Sequence, residues 1–574
     1  MSAADASGAN GQEEAAPGGF LGWIERAGNK VPHPVIIFLY LIVGVIVLSA
    51  ILALFKVGIT EQILVPAPVT VETGMSIAGG TYAPIEEPTA LTPDGEGFVD
   101  AFPHDYVLKE VRVDVRSLLT VEGIRFIFTS FVNNFAGFTV VATIFVAMIG
   151  VGVAEQVGMM GALIRKMVAV TPGAWLTFVI ILVGGLSSIA TDAGYLILIP
   201  LGAAAFLSVG RHPVAGVAAA YAGVSASFAV NILIAPLDAL LTEMTNEAIA
   251  LVDPNSSITI TANWYFSTVS LLVMAVVMTF VTARIIEPRL GIYKPQESLG
   301  HAAGEATDMP TPDDGETVDA EAEGRGLRGA LIGFLIGVAI VVVFTAPPGA
   351  PLRDPATGDI VGTTPFMNSL IFIISMLFLL AGIGYGRAAG TIKSSVDIVN
   401  GVTKTFAGLA GLVFMLLVIS QFIAYFNFSN LPDVIAGSLA QALQRASVPD
   451  IILLILLILV VAVVDIIMTG ALPKWAILAP IFIPLFMRLG IAPQTVLAAY
   501  RVGDSPLNVI TPLMVYLPFV VLVTQRYMKK AGLGTIVALM IPYTGFVLVT
   551  WIILFIIWFV LGIPLGPGYP VGLG

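Results

Sequence analysis

The stretch VVDIIMTGALPKWAILAPIFIPLFMRLGIAPQTVLAAYRVGDSPLNVITP, from Val463 to Pro512, decides the fold. It is apolar enough to lie in lipid, yet it carries Asp465, Lys474, Arg501 and Asp504 and is cut by Pro473, Pro480, Pro484, Pro493, Pro506 and Pro512. A charge at bilayer depth costs from about 2.5 to more than about 10 kcal/mol, depending on how the cost is measured. Helix breaks at that depth survive only where the freed backbone is buried in protein or lines a wet cavity. Charge and broken helix in one apolar stretch predict a binding site inside a membrane.

The rest of the chain agrees. Its 574 residues are 57% hydrophobic and 11% charged, with a mean hydropathy of +0.96, whereas roughly 25% of a soluble domain is charged. This is the composition of an all-α polytopic membrane protein. The absence of cysteine excludes thiol metal sites, disulfides and cysteine nucleophiles. Much of the net charge of −12 lies in two polar stretches that read as solvated, and no basic tract interleaved with aromatics points to nucleic acid. Residues 2–19 are small, polar and acidic, which predicts a disordered tail over 1–21 rather than a cleaved signal peptide.

Taken in order, GWIERAGNKVPHP at 22–34 has the spacing of a short amphipathic helix with Trp23 as an interface anchor. Val35 to Leu54 is long enough to span, and residues 57–120 are too polar to enter the membrane. Leu119 to Phe135 is apolar but broken at Asn133-Asn134, and Thr139 to Val153 completes a second span. Residues 173–207 are interrupted by GGLSSIATDAG, leaving halves of about 10 to 13 residues, each too short to cross, so a re-entrant helical hairpin is expected. Pro213 to Leu237 spans again but is interrupted by Ser225, Ser227 and Asn231, and Trp264 to Ile285 spans cleanly. An acidic cytoplasmic linker over 287–326 separates a first transmembrane half, 22–286, from a second, 327–574. The second half reads as spans near 329–345 and 366–384, an amphipathic surface segment at 391–405, a span at 406–425, a hairpin at 449–488, a broken span at 493–523 and a last span at 536–561.

About nine spans and two hairpins satisfy the positive-inside rule. With the N-terminus in the cytoplasm, sixteen of the 26 Lys and Arg fall on cytoplasmic segments. The halves also repeat: Pro200 and Pro480, Pro213 and Pro493, Gly223 and Gly503, and Ser225 and Ser505 are all separated by the same length of chain. In this topology the hairpins open to opposite sides. Inverted repeats of this kind suit a secondary transporter with its site at the repeat interface.

Arg501 and Asp504 share a face if the helix persists through Val502. One reading is a structural ion pair; the other is that Arg501 meets a substrate carboxylate while Asp504 takes a cation or proton. Asp192 lies at the first hairpin tip among Ser187, Ser188 and Thr191, an oxygen-rich setting that suits a hard cation such as Na⁺, although hydroxyls near helix ends are also ordinary caps. Candidates for the coupling ion, Na⁺ or H⁺, are Ser187, Ser188, Thr191, Asp192, Ser225, Asn231, Asp465, Thr469, Asp504 and Asn508. Trp475 reads either as a lid over an aromatic substrate or as an interface anchor. Lys474 is expected to snorkel outward, and Asp238, Glu243 and Glu155 to be solvated at span ends.

The motifs GWIERAGNKVPHP at 22–34, FVNNFAGF at 131–138, SSIATDAGY at 187–195, KWAILAPIFIPL at 474–485 and YRVGDSPLNVITPL at 500–513 resemble the AbgT transporters of p-aminobenzoyl-glutamate. The resemblance covers nearly everything except the extreme N-terminus and the acidic linker. It implies a cation-driven homodimer of the bacterial inner membrane that imports p-aminobenzoyl-glutamate or exports sulfonamide antimetabolites. Position by position, it places substrate contacts at Asp192, Trp475, Pro493, Arg501, Asp504 and Pro512. Two positions depart from the family pattern: Leu472 stands where a serine is expected, and Asp465 where a neutral amide is expected.

The sequence therefore reads as a secondary active transporter of an aromatic carboxylate or another dicarboxylate-like anion, with no catalytic residues and no cofactor beyond the coupling ion. An intramembrane enzyme using Asp465 and Asp504 as a carboxylate pair is the rival from another class, but the chain has no GxGD, HExxH or serine–histidine pairing. A passive channel is the third reading, and inverted hairpins suit alternating access better.

Overall fold

The computed structural model describes residues 34–66, 106–189, 194–293, 320–361, 364–446, 448–467, 470–511 and 514–572. The predicted tail, the 22–33 part of the amphipathic segment, most of the linker and parts of both hairpin tips lie outside the described residues.

The first half holds α1 (Pro34–Leu54), strands β1 (Gly58–Pro66) and β2 (Tyr106–Asp114), then α2 (Val121–Thr129), α3 (Phe131–Ala136), α4 (Thr139–Gln156), α5 (Met159–Ala169), α6 (Leu176–Leu186), α7 (Ile199–Ser208), α8 (Pro213–Ser225), α9 (Pro236–Ile249) and α10 (Trp264–Val281). The second holds α11 (Ala320–Thr345), α12 (Leu370–Ala389), α13 (Ser395–Gly408), α14 (Ala410–Phe428), α15 (Leu431–Ala446), α16 (Asp450–Ile467), α17 (Ala471–Arg488), α18 (Pro493–Asp504), α19 (Leu517–Gln525) and α20 (Leu533–Val560). Among the described residues, eight helices are long and apolar enough to cross a membrane: Val35–Leu54, Phe131–Gln156, Trp264–Leu290, Ala320–Thr345, Leu370–Ala389, Ala410–Phe428, Ala471–Arg488 and Leu533–Val560. The chain is a multi-pass, all-α membrane protein.

The sequence patterns explain these elements. Helix α1 contains no charged residue, and Tyr40, Val43 and Leu54 project outward, as apolar side chains do toward lipid. In α11, Gly329, Gly333 and Gly337 recur every fourth residue and press against α12, where a Cβ on Gly333 would collide with the Leu380 carbonyl oxygen. The amphipathic segment expected at 391–405 is α13, whose Val396 and Val399 are exposed.

The interruption expected within Pro213 to Leu237 is a full break: α8 stops at Ser225 and the chain restarts as α9 at Pro236, a residue that opens helices because it needs no N–H partner there. Two further elements are unexpected. Residues 57–120 contain a two-stranded antiparallel sheet with Gly58 opposite Asp114, a pairing between distant segments that local pattern does not reveal. The connection after α14 is itself a helix, α15, which packs on α17.

The repeat read from the sequence has a counterpart in the packing. Helix α8 lies along α6, and α18 lies along α16. A Cβ on Gly223 would stand 2.7 Å from the Ile181 carbonyl oxygen, and one on Gly503 would stand 2.8 Å from Val461 Cβ and 2.5 Å from the Ile458 carbonyl oxygen. Ile181 and Val461 are separated by the same length of chain as Gly223 and Gly503. Glycine seats α8 against α6 and α18 against α16 in the same way.

Candidate functional site

Helix α18 is buried along its whole length, from Pro493 to Asp504. Burial forces its polar side chains to find partners in the protein, because an isolated charge cannot stay there. They find them in two directions.

On one side, Asp465 and Asp504 both engage Lys474. All three side chains have no solvent exposure. Lys474 Nζ is bonded to Asp465 Oδ1 and lies 2.8 Å from Asp504 Oδ1. Asp465 lies near the end of α16, and Lys474 lies in the first turn of α17, which starts at Ala471 just past Gly470, whose φ of 92° favours glycine. The start of α17 thus places the lysine on the aspartate at the end of α16. The Tyr500 hydroxyl lies 2.9 Å from Asp504 Oδ1 and 2.5 Å from the Ala471 carbonyl oxygen, and Thr511 Oγ1 donates to the Asp465 carbonyl at 3.3 Å. Two carboxyl groups share one ammonium: with both ionised the group carries one negative charge in excess, and a proton on either one balances it. Asp465 Oδ2 and Asp504 Oδ2 are buried without a hydrogen-bond partner among the described residues.

On the other side, Arg501 Nη1 donates to Asp238 Oδ1 at 2.6 Å and to the Ala229 carbonyl at 2.7 Å. The Ala229 N–H donates to Ser505 Oγ at 2.9 Å. Side chains of the second copy thus satisfy both backbone groups of a residue in the first copy's break. Next to the cluster, the Trp475 ring lies 4.4 Å from the Tyr500 ring, and its indole N–H donates to Thr245 Oγ1 at 3.0 Å. Helix α9 supplies both Asp238 and Thr245. Its Glu243 faces elsewhere, accepting from Thr139 at 3.0 Å beside a cavity of about 510 Å³ lined by Phe135 and Phe138.

The first copy is wired differently. Ser187 Oγ donates to the Gly184 carbonyl at 2.6 Å and Ser188 Oγ to Gly185 at 3.0 Å. Asn231 donates to Ser188 Oγ at 2.9 Å and to the Gly185 carbonyl at 3.2 Å, and accepts from Leu233 N–H at 3.0 Å. These groups close the C-terminal end of α6, where carbonyls otherwise lack partners. Ser225 Oγ lies 3.0 Å from the Tyr195 hydroxyl, and the Tyr195 ring stacks at 4.2 Å on Tyr516 beyond the second break.

The structure thus brings Trp475, Arg501, Asp504 and Asp465 to one region, with Ser505 joining the two copies. Asn508 is buried in the second break. Pro493 starts the helix that Asp504 ends, about 16 Å away along its axis, so it is not beside the ionic cluster. Thr191, Asp192, Thr469 and Pro512 lie outside the described residues.

Three expectations are corrected. Lys474 does not snorkel outward; it is buried between two carboxylates. Asp238 is not a solvated end residue; its side chain is 14% exposed and bonded to an arginine that is 2% exposed. Arg501 and Asp504, one turn apart, engage Asp238 and Lys474 respectively. The sequence does carry a signal for Asp238: like Asp465, it is an acid in an apolar stretch beside a break.

Residues 19–573 match the AbgT putative transporter family. The chain is 32% identical over 554 residues to the p-aminobenzoyl-glutamate transport protein of Escherichia coli strain K12, covering 96% of this chain and 97% of that one. Among solved structures it is similar to the YdaH transporter of Alcanivorax borkumensis, at 32% identity and a TM-score of 0.77, covering 93% of this chain and all of that one. It is also similar to MtrF of Neisseria gonorrhoeae, described within a class of antimetabolite efflux pumps, at 35% identity and a TM-score of 0.78, covering 96% of this chain and all of that one.

Proposed function

The chain belongs to the AbgT family of transporters, and on that premise we propose that it is a cation-coupled secondary active carrier of p-aminobenzoyl-glutamate or a related aromatic carboxylate. As a transporter, and not an enzyme, it works by binding its cargo differently in two states. The observation that carries the substrate reading is the buried Arg501 at the junction of the two copies, with the aromatic side chains of Trp475 and Tyr500 close by. A guanidinium suits a carboxylate, and Trp475 suits the ring attached to it.

Two carboxyl groups around the single ammonium of Lys474 support cation coupling. A buried uncompensated charge is costly, so a proton or Na⁺ at the free carboxylate oxygens pairs naturally with this site. Substrate loading and cation loading then change the charge of the same helix, α18, from its two sides. Inverted repeats would let the two copies rock about the site. Export of sulfonamide antimetabolites follows the same chemistry run in the other direction. A homodimer in the bacterial inner membrane, with the N-terminus in the cytoplasm, is the arrangement we propose for it.

The test is uptake of labelled p-aminobenzoyl-glutamate into proteoliposomes, with Na⁺ and H⁺ gradients imposed separately and in each orientation. Flux that follows one gradient supports the reading. Flux that ignores both gradients makes the protein a passive channel, and native-rate flux in both Arg501→Ala and Asp504→Ala removes the site.

A further inference from the structure

Asp238 lies in the first copy, and nothing above gives it a task beyond its contact with Arg501. We propose that Asp238 is a tethered stand-in for the substrate carboxylate: it holds Arg501 while the carrier returns unloaded and is displaced when substrate arrives. The proposal rests on the reading that Arg501 receives a substrate carboxylate.

The contact has the properties that such a role needs. It is close, 2.6 Å, and well sheltered. It is also incomplete. Both recorded hydrogen bonds of the guanidinium run through Nη1, and the buried Nε–H has no partner among the described residues. A free carboxylate that bonds two nitrogens at once makes the stronger pair, so the tethered acid can lose the competition.

Displacement does not strand Asp238. Its second oxygen, Oδ2, accepts the Ala235 N–H at 2.8 Å. It also sits in the first turn of α9, a helix of 14 residues, where the end of the helix dipole favours a carboxylate. Asp238 therefore keeps a donor and a favourable field after Arg501 has changed partner. The same helix carries Thr245, the acceptor for Trp475, so movement of α9 reaches the aromatic contact as well.

An unloaded carrier must reorient with Arg501 neutralised, because burying an unpaired charge is costly. A carrier that swaps one substrate for another is never in that position. Asp238 should therefore matter for net transport and much less for exchange. It should also weaken apparent binding, because the fraction of protein with Arg501 already occupied is not competent to bind.

The experiment compares wild type, Asp238→Asn and Asp238→Glu as full-length protein in proteoliposomes, measuring net flux, exchange and binding of labelled p-aminobenzoyl-glutamate. In Asp238→Asn, net flux should fall at least about tenfold more than exchange, and apparent binding should tighten. Binding of the same molecule with its carboxylates amidated should not tighten, and Asp238→Glu should restore much of the net flux. Asp238→Ser repeats the test independently if the asparagine variant does not fold. Net flux and exchange falling together, or neither changing in a folded variant, overturns the proposal while leaving the substrate reading intact. A wild type that binds no carboxylate overturns both.

Discussion

Gly223 and Gly503 do the same work at positions the same distance apart as the sequence repeat, one letting α8 sit against α6 and the other letting α18 sit against α16. Beyond that point the copies diverge. In the first, Ser187, Ser188 and Asn231 spend their hydrogen bonds on the carbonyls at the end of α6. In the second, the corresponding region holds Asp465, Lys474 and Asp504 with no solvent exposure. The comparison separates two demands on one architecture. Backbone freed by a helix break must be satisfied wherever it occurs, and neutral hydroxyls and amides are enough for that. Ionised groups cost far more to bury, and in the second copy they are held by one another.

The largest test of this contrast is Lys474→Met. Removing the ammonium leaves two carboxylates facing each other, and breaking such a buried pair costs about 3–5 kcal/mol. Thermal unfolding in detergent should show a large loss of stability, with transport abolished. Adding Asp465→Asn to Lys474→Met should recover part of that stability. No recovery would mean that the charge count is not what holds the second copy together.

Gly223→Ala and Gly503→Ala probe what the copies share. Each Cβ would meet packed backbone, and overpacking typically costs about 1–3 kcal/mol. Similar losses at both positions, read by thermal unfolding, are expected from the common register. A loss at only one position would break the structural equivalence.

Asn231→Ala removes donors from the end of α6 at a cost of about 1 kcal/mol, and the cation dependence of transport should not change. An altered cation dependence would move ion binding into the first copy and reverse the contrast.

The smallest effect lies outside both copies, at the start of α13. The backbone N–H groups of Lys393 and Ser394 donate to Asp397 at 2.9 and 2.8 Å and hold its carboxyl below the usual aspartate range. A depressed folded-state pKa stabilises above the unfolded value and is lost as pH falls through the folded one. Asp397→Asn should therefore lower the melting temperature slightly near neutral pH and make no difference in strong acid, and it should leave the contrast between the copies untouched.

Much of the fold is legible from chemistry that acts along the chain. Continuous apolar runs such as Val35 to Leu54 mark spans, and Asp465 and Arg501 declare themselves because charges in such runs are expensive. The break after Ser225 is legible from Ser225, Ser227 and Asn231 within an apolar run, but where the chain restarts, at Pro236, is not. Lys474 escapes a reading along the chain because a lysine beside a hairpin tip commonly reaches for water. Only the start of α17 places its ammonium against Asp465. Asp238 carries the same signal as Asp465, an acid beside a break in an apolar stretch, but an acid in the first turn of a helix is also an ordinary feature, and its partner lies 263 residues away.

Sequence alone determined that the chain lives in a membrane, where its helices break, and that Asp465, Arg501 and Asp504 stand as charges within its apolar runs. Each of these follows from the cost of placing a given residue type at a given depth in lipid. Tertiary structure decided the pairing: Lys474 between Asp465 and Asp504, and Arg501 on Asp238. Charge pairing depends on close approach between segments that are far apart in the chain, and that approach exists only once the helices have packed.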